Sequence, residues 1–203
     1  MITNIMLKWQ TLLLIAFVFT SCVSSINEDV EYYDSGEVKK ISHYDNDMLI
    51  KEIKYDESGI KKESKEYSIK ETDTIIKSTY YKSSGDIDFK KESINGRQLK
   101  YTKYYEGGKI AYEEDIASDS WRTWYENGVL SAECDYKKGK YVKYYETGLK
   151  RESGTVINYE KDSLWTFYSP SGELVQEILY NQGKVIEMKV YNQAVVDSLF
   201  SDE

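Results

Sequence analysis

Between residues 120 and 145 apolar and polar side chains alternate with a period of two. Leu130, Ala132, Cys134 and Tyr136 fall on one side of the alternation, and Ser131, Glu133 and Asp135 on the other. Aromatic segments flank this run: Trp121-Arg122-Thr123-Trp124-Tyr125 precedes it and Tyr141-Val142-Lys143-Tyr144-Tyr145 follows. Glu126-Asn127-Gly128 and Lys137-Lys138-Gly139-Lys140 separate the three pieces. Period-two runs bounded by glycine-containing turns predict strand, tight turn, strand. The preceding stretch matches in register, with Ile110, Tyr112, Glu114 and Ile116 in the places of Leu130, Ala132, Cys134 and Tyr136.

The same phrase returns along the chain, as Tyr-Tyr-Asp-Ser-Gly at 32–36, Trp-Tyr-Glu-Asn-Gly at 124–128 and Tyr-Tyr-Glu-Thr-Gly at 144–148. Its closing glycines stand at 36, 59, 85, 108, 128, 148 and 172, with spacings of 23, 26, 23, 20, 20 and 24. Self-similarity at this period marks a stack of small units, none able to bury its apolar face alone. The expected fold is all-β: an antiparallel β-meander of tandem hairpins over 31–191, elongated and twisted, in a single sheet. Seven copies of two strands extend about 65 Å at roughly 4.8 Å per strand. Turn chemistry is weaker at 65–79 and 155–163, which read as longer connections or degenerate strands. Residues 192–203 read as a C-terminal tail or a short helix, the helix falling over 194–200.

The turn between close antiparallel strands needs a residue at positive φ, which Gly adopts freely and Asn tolerates. Asn127-Gly128, Ser58-Gly59 and Asn95-Gly96 fit that need. The aromatics before the glycines, among them Tyr104, Tyr105, Trp124, Tyr125, Tyr144 and Tyr145, recur at one place in successive hairpins. They are expected to stack as ladders and to form the candidate binding surface. With 20 Tyr against 5 Phe, such a surface has apolar rings and wet hydroxyls, as a thin sheet with little interior requires.

At the N-terminus, Lys8 precedes the apolar run Thr11–Phe19, and Thr20-Ser21-Cys22 follows. This reads as a signal peptide over 1–21; a retained membrane helix needs about 18 or more consecutive apolar residues. Phe19-Thr20-Ser21-Cys22 resembles the lipobox of bacterial lipoproteins, with Phe19 where the pattern has Leu. The resemblance implies that Cys22 is acylated, becomes the first mature residue and anchors the chain in a membrane at the cell envelope (outer membrane or periplasmic face), with 22–30 as a tether.

Without 1–21, which hold one Lys and no acid, the chain carries 26 basic and 35 acidic residues, net −9. Its lysines are dispersed among glutamates, so no nucleic-acid partner is expected. With Cys22 acylated, Cys134 has no intrachain partner. It occupies a position where the neighbouring copy has glutamate, and reads as half-buried and inert.

The phrase Tyr-Tyr-Glu-Asn-Gly-x-Leu-x-x-Glu, followed by Tyr-x-x-Gly-Lys, resembles the MORN-repeat variant typical of bacterial YwqK-type antitoxin components. Trp124 to Lys140 and Tyr104 to Glu114 match best, then Tyr144 to Glu152 and Phe167 to Lys184. The resemblance implies a hairpin meander that scaffolds or binds a partner, and little about activity.

Enzymatic chemistry finds no foothold. His43, the only histidine, lies in a degenerate strand beside Tyr44-Asp45 and reads as solvated. No Cys/His spacing suits zinc, and no glycine-rich phosphate loop or calcium loop occurs, so no metal, cofactor or catalytic residue is expected. Acids recur once per copy beside lysines, as in Lys91-Glu92 and Arg151-Glu152, which marks a solvated face rather than a carboxylate pair in a cleft. The expected function is a lipid-anchored envelope protein whose sheet binds or scaffolds a protein or a glycan. The alternative is an antitoxin-like or immunity-like inhibitor of one cognate protein.

Overall fold

A computed structural model describes residues 26–194. The signal segment 1–21, Cys22 and the helix expected through Phe200 (all but Ala194) lie outside them. The described chain is one antiparallel sheet of 15 strands whose order in space is their order in the chain. The first eight are β1 (Ile26–Tyr32), β2 (Val38–Asp45), β3 (Met48–Tyr55), β4 (Lys61–Lys70), β5 (Asp73–Tyr81), β6 (Ile87–Ile94), β7 (Arg97–Tyr104) and β8 (Ile110–Asp115). Then come β9 (Ser120–Trp124), β10 (Leu130–Asp135), β11 (Lys140–Tyr144), β12 (Lys150–Ile157), β13 (Glu160–Tyr168), β14 (Leu174–Asn181) and β15 (Lys184–Val190).

The meander is as expected, but three stretches differ. Residues 26–30, read as tether, form most of β1 and pair with β2. Residues 65–79 are not a loose connection, because β4 and β5 pair without interruption from Glu63–Tyr80 to Lys70–Asp73. Residues 155–163 likewise hold the end of β12, a two-residue turn and the start of β13. That turn places Asn158 and Tyr159 at φ 52° and 68°. A two-residue turn of this kind needs positive φ at both positions, and a bulky Tyr there carries no glycine signal for the sequence reader.

Each aromatic–glycine hairpin carries a type I-like turn whose glycine is left-handed. Gly128 N–H bonds the Tyr125 carbonyl at 2.9 Å and Tyr125 N–H bonds the Val129 carbonyl at 2.9 Å, with Gly128 at φ 91°. Three residues past each closing glycine, one strand residue has no counterpart opposite. These are Lys39, Lys62, Asp88, Ala111, Ser131, Arg151 and Val175. A β-bulge of this kind bends its strand and adds twist. It also reverses the alternation. Leu130 pairs with Trp124 and Ala132 with Thr123, so Leu130 lies on the face opposite Ala132 and Cys134, not with them as the bare period suggests.

The two faces therefore differ. One, here the core face, changes character along the array. From β1 to β4 it is a chain of ion pairs. Lys40 bridges Glu31 and Glu52, Lys54 bridges Glu52 (3.3 Å) and Glu63 (3.2 Å), and Lys65 closes on Glu63 (3.2 Å). Hydrogen bonding to Lys40 holds the Glu31 carboxyl below its usual range. From β5 to β8 rings take over: Tyr80–Phe89 (4.3 Å), Phe89–Tyr101 (5.5 Å) and Tyr101–Tyr112 (6.0 Å between centroids).

From β9 to β14 the core face is buried, around Cys134, Val156, Trp165, Phe167, Val175 and Ile178. The row Trp121, Cys134, Tyr141, Gly154 is in direct register across β9 to β12, and Trp165 of β13 lies over Gly154. Large and small residues alternate strand by strand. Rings two strands apart sit about 9.6 Å apart by strand spacing, yet Trp121–Tyr141 is 6.1 Å and Tyr141–Trp165 is 5.2 Å. The rings lean over the small residue between them. A side chain wider than Cys134 or Gly154 would prevent this. Cys134 is thus a small apolar spacer, 3% exposed, and burial pushes its thiol pKa up.

Two glycines should fail for opposite reasons. A Cβ on Gly154 would sit 2.3 Å from the Trp165 ring, whereas one on Gly128 would meet nothing within 4 Å. Gly154→Ala is expected to cost roughly 1–3 kcal/mol through overpacking, with Ser or Asn no better. Gly128→Val is expected to cost about 1–3 kcal/mol through its positive φ, and Gly128→Asn to recover part of it, because Asn tolerates that conformation. Urea unfolding of the five variants checks both; equal recovery by Asn at both sites would refute the distinction.

Candidate functional site

Opposite the core face lies the face that carries the first aromatic of each repeat, here the ridge face. Tyr32, Tyr55, Tyr81, Tyr104, Trp124, Tyr144 and Tyr168 end β1, β3, β5, β7, β9, β11 and β13. Each pairs with the residue that follows the next turn: Val38, Lys61, Ile87, Ile110, Leu130, Lys150 and Leu174. The result is a row of aromatic rings, separated by aliphatic or lysine side chains, along one margin of the sheet. Lysines from neighbouring strands lie over several rings: Lys61 over Tyr81 (4.4 Å), Lys90 over Tyr104 and Lys150 over Tyr168 (both 5.5 Å). Such contacts contribute about 0.5–1 kcal/mol where exposed.

The second aromatic of the repeat does different work. The Tyr33 hydroxyl donates to the Tyr55 carbonyl (2.8 Å), Tyr105 to Trp124 (2.6 Å), Tyr125 to Tyr144 (2.7 Å) and Tyr145 to Tyr168 (2.7 Å). Each Tyr at this position therefore latches its turn to the backbone beside the first aromatic of the next repeat. The copies with Asp56, Lys82 and Ser169 there lack the tyrosine, and the Ser169 hydroxyl bonds the Ser171 hydroxyl and accepts the Glu173 N–H within its own turn. Lys109 and Asn127 add similar bonds from one turn to the next, to the Glu126 and Glu146 carbonyls.

The six candidate residues thus divide. Tyr104, Trp124 and Tyr144 belong to the ridge, and Tyr105, Tyr125 and Tyr145 are the latches; all six are half-buried. They do not stack on one another as expected. Equivalent positions lie two strands, about 9.6 Å, apart, beyond the 4.5–7 Å of ring contact. The ring ladders run instead through Tyr80, Phe89, Tyr101 and Tyr112 and through Trp121, Tyr141, Trp165 and Tyr180 on the core face. Sequence reasoning missed these because their spacing follows the strand register and not the glycine phrase.

Below the ridge the same face is polar. Arg122 and Lys140 meet Glu133 at 3.7 and 2.8 Å, and hydrogen bonding to Lys140 lowers the Glu133 pKa. A shallow hollow of about 390 Å³, lined by Lys100, Thr102, Glu113, Asp115 and Asp135 among others, opens there. His43 stands in β2 with Nδ1 3.6 Å from the Glu28 carboxylate. Among the described residues no group of three or more His, Cys, Asp or Glu side chains gathers as metal ligands, and no helix is long and apolar enough to cross a membrane.

This geometry defines a tandem-hairpin repeat sheet, and the comparisons agree. Residues 30–46, 120–138 and 161–182 match the model of the MORN repeat variant. Each matched segment takes in one strand or its end, the aromatic–glycine turn and the strand after it. None of the curated proteins matches the chain. Among solved structures, a protein of unknown function from Bacteroides fragilis NCTC 9343 is similar over 68% of this chain and 96% of its own, at 9% identity and a TM-score of 0.17. That score is too low to inform fold or function.

Two outcomes follow from the hydroxyls. Tyr125→Phe removes one latch and is expected to cost about 0.5–1.5 kcal/mol, whereas Tyr104→Phe keeps its ring on the ridge and is expected to change stability little; thermal unfolding separates them. Burial pushes the Tyr141 hydroxyl up to about 12. Its neutral form is favoured in the folded state, so its contribution is complete below pH 10 and lost as pH rises from about 10 toward 12. Tyr141→Phe should flatten that alkaline loss; an unchanged pH profile would contradict it.

Proposed function

We propose that this chain is a lipid-anchored repeat protein of the cell envelope whose sheet serves as a binding or scaffolding surface for a protein or glycan partner. The observation that carries the reading is the ridge: seven aromatic positions at a regular two-strand interval, on a face that nothing in the described chain covers. Rings held by backbone pairing offer contact area at low cost in side-chain entropy, which suits them as binding anchors. The MORN-variant segments favour a binding or scaffolding role in the same sense. The latches keep successive turns in step, so the ridge is preorganised. The anchor rests on the sequence around Cys22, and mass spectrometry of membrane-extracted protein should find the mature N-terminus at Cys22 with added acyl mass.

The surface itself is tested by capture. The full chain and a Trp124→Ala/Tyr144→Ala variant, each shown folded by circular dichroism, are used to pull partners from solubilised envelopes and from a panel of cell-wall glycans. Retention by the native chain and at least tenfold weaker retention by the variant are expected. Equal retention would exclude the ridge. Capture of one stoichiometric protein whose toxic activity the chain blocks would replace this reading with that of an inhibitor.

A further inference from the structure

The two outer edges of the sheet are built differently. At one end β1 reads Ile26-Asn-Glu-Asp-Val-Glu-Tyr32, with three acids in seven residues. Charged residues on an open edge oppose pairing with another strand. At the other end β15 reads Lys184-Val-Ile-Glu-Met-Lys-Val190. Val185, Ile186 and Met188 are 52%, 59% and 53% exposed, and the edge itself has no neighbour in the described chain. Met188 pairs with Ile178 and Val190 with Gln176. Both therefore stand on the core face, where the buried cluster of Trp165, Phe167 and Ile178 ends and Val190 packs against it. This cluster stops at an unfinished border.

We infer that β15 pairs with β15 of a second copy of this chain, antiparallel about a two-fold axis at Met188. The occupant follows from self-complementarity. An axis perpendicular to the sheet keeps the core faces of both copies on one side. Ile186 is a bulge with no counterpart on β14, so the regular stretch of the edge is Glu187–Val190. Centred on Met188, the axis sets Met188 against Met188 and Glu187 against Lys189 twice. Opposite charges then face each other on the ridge side and the two Met188 side chains on the core side. Centring one residue earlier would set Glu187 against Glu187, like charges directly opposite each other, which is unfavourable. The preferred register extends the apolar core face across the two-fold, in an isologous contact that closes on itself. The β1 edge offers no equivalent, since Glu28, Asp29 and Glu31 leave a self-pair without a positive partner.

Cysteine crosslinking of the full chain in mild detergent tests the register. Residues opposite each other in adjacent strands have Cβ atoms about 4.5–5.5 Å apart, close to disulfide reach. With copper–phenanthroline, Met188→Cys is expected to yield a disulfide-linked dimer at least fivefold above the native chain. Glu187→Cys and Lys189→Cys, which face each other and not themselves, should remain near background. Charge reversal provides a second readout without cysteine: Glu187→Lys or Lys189→Glu alone should weaken dimerisation at least fivefold by sedimentation, and the double variant should restore it. A native chain that sediments as a monomer at tens of micromolar would overturn the proposal. So would equal crosslinking at 187, 188 and 189, or a double variant no better than either single one. A monomer is also the outcome if the C-terminal residues or an unrelated protein occupies the edge.

Discussion

A sheet one layer thick has no second layer to bury its apolar face against, so it must cover that face with its own side chains. From β9 to β13 this is done by size. Cys134 and Gly154 lie low on alternate strands, and Trp121, Tyr141 and Trp165 close over them to ring distances shorter than the strand spacing allows for upright rings. Lys161 then lies 4.0 Å from the Trp165 ring centroid and pairs with Glu152 at 3.4 Å, setting a charged lid on the deepest ring. Trp165 reaches 1% exposure in this way. Small neighbours, leaning rings and the lysine stem stand in for the missing layer.

The same constraint explains why the face changes along the array. Where large rings are scarce, from β1 to β4, the face interleaves Lys40, Lys54 and Lys65 with Glu31, Glu52 and Glu63, paired both within and between strands. A row of ion pairs tolerates water and needs no cover. Rings from β5 to β8 are an intermediate solution, stacked but half-exposed. Stability should therefore be graded from the ion-paired N-terminal hairpins toward the buried C-terminal ones, as expected of a repeat array in which each unit contacts only its neighbours.

On the other face, regularity comes from the backbone. In every aromatic–glycine hairpin a bulge three residues after the glycine turns the alternation over, so that the aromatic before the turn and the residue after it share the ridge face. In four of the seven copies a tyrosine latch then ties that turn to the next copy. Bulge and latch together convert a recurring phrase into an evenly spaced row, on which the proposed binding surface rests.

Much of this was legible in the chain. Period-two runs and glycine turns marked the hairpins because strand alternation and positive φ are local requirements, met by residues next to one another. The spacing of Gly36 to Gly172 likewise set the number of copies, since each copy must repeat the same local geometry. The bulges were not legible: Ser131 looks like any outward residue until its neighbours' partners across the sheet are known. Nor did anything near Gly154 distinguish it from a turn glycine, because the atom that excludes a Cβ belongs to Trp165, beyond the next turn. The tyrosines before each glycine marked a surface, but whether a hydroxyl meets water or the carbonyl of the following repeat depends on a strand some twenty residues away. The sequence by itself determined what each hairpin is. Which face each ring occupies, and what lies beneath it, was decided only when the hairpins paired, because cross-strand register places side by side residues that the chain keeps far apart.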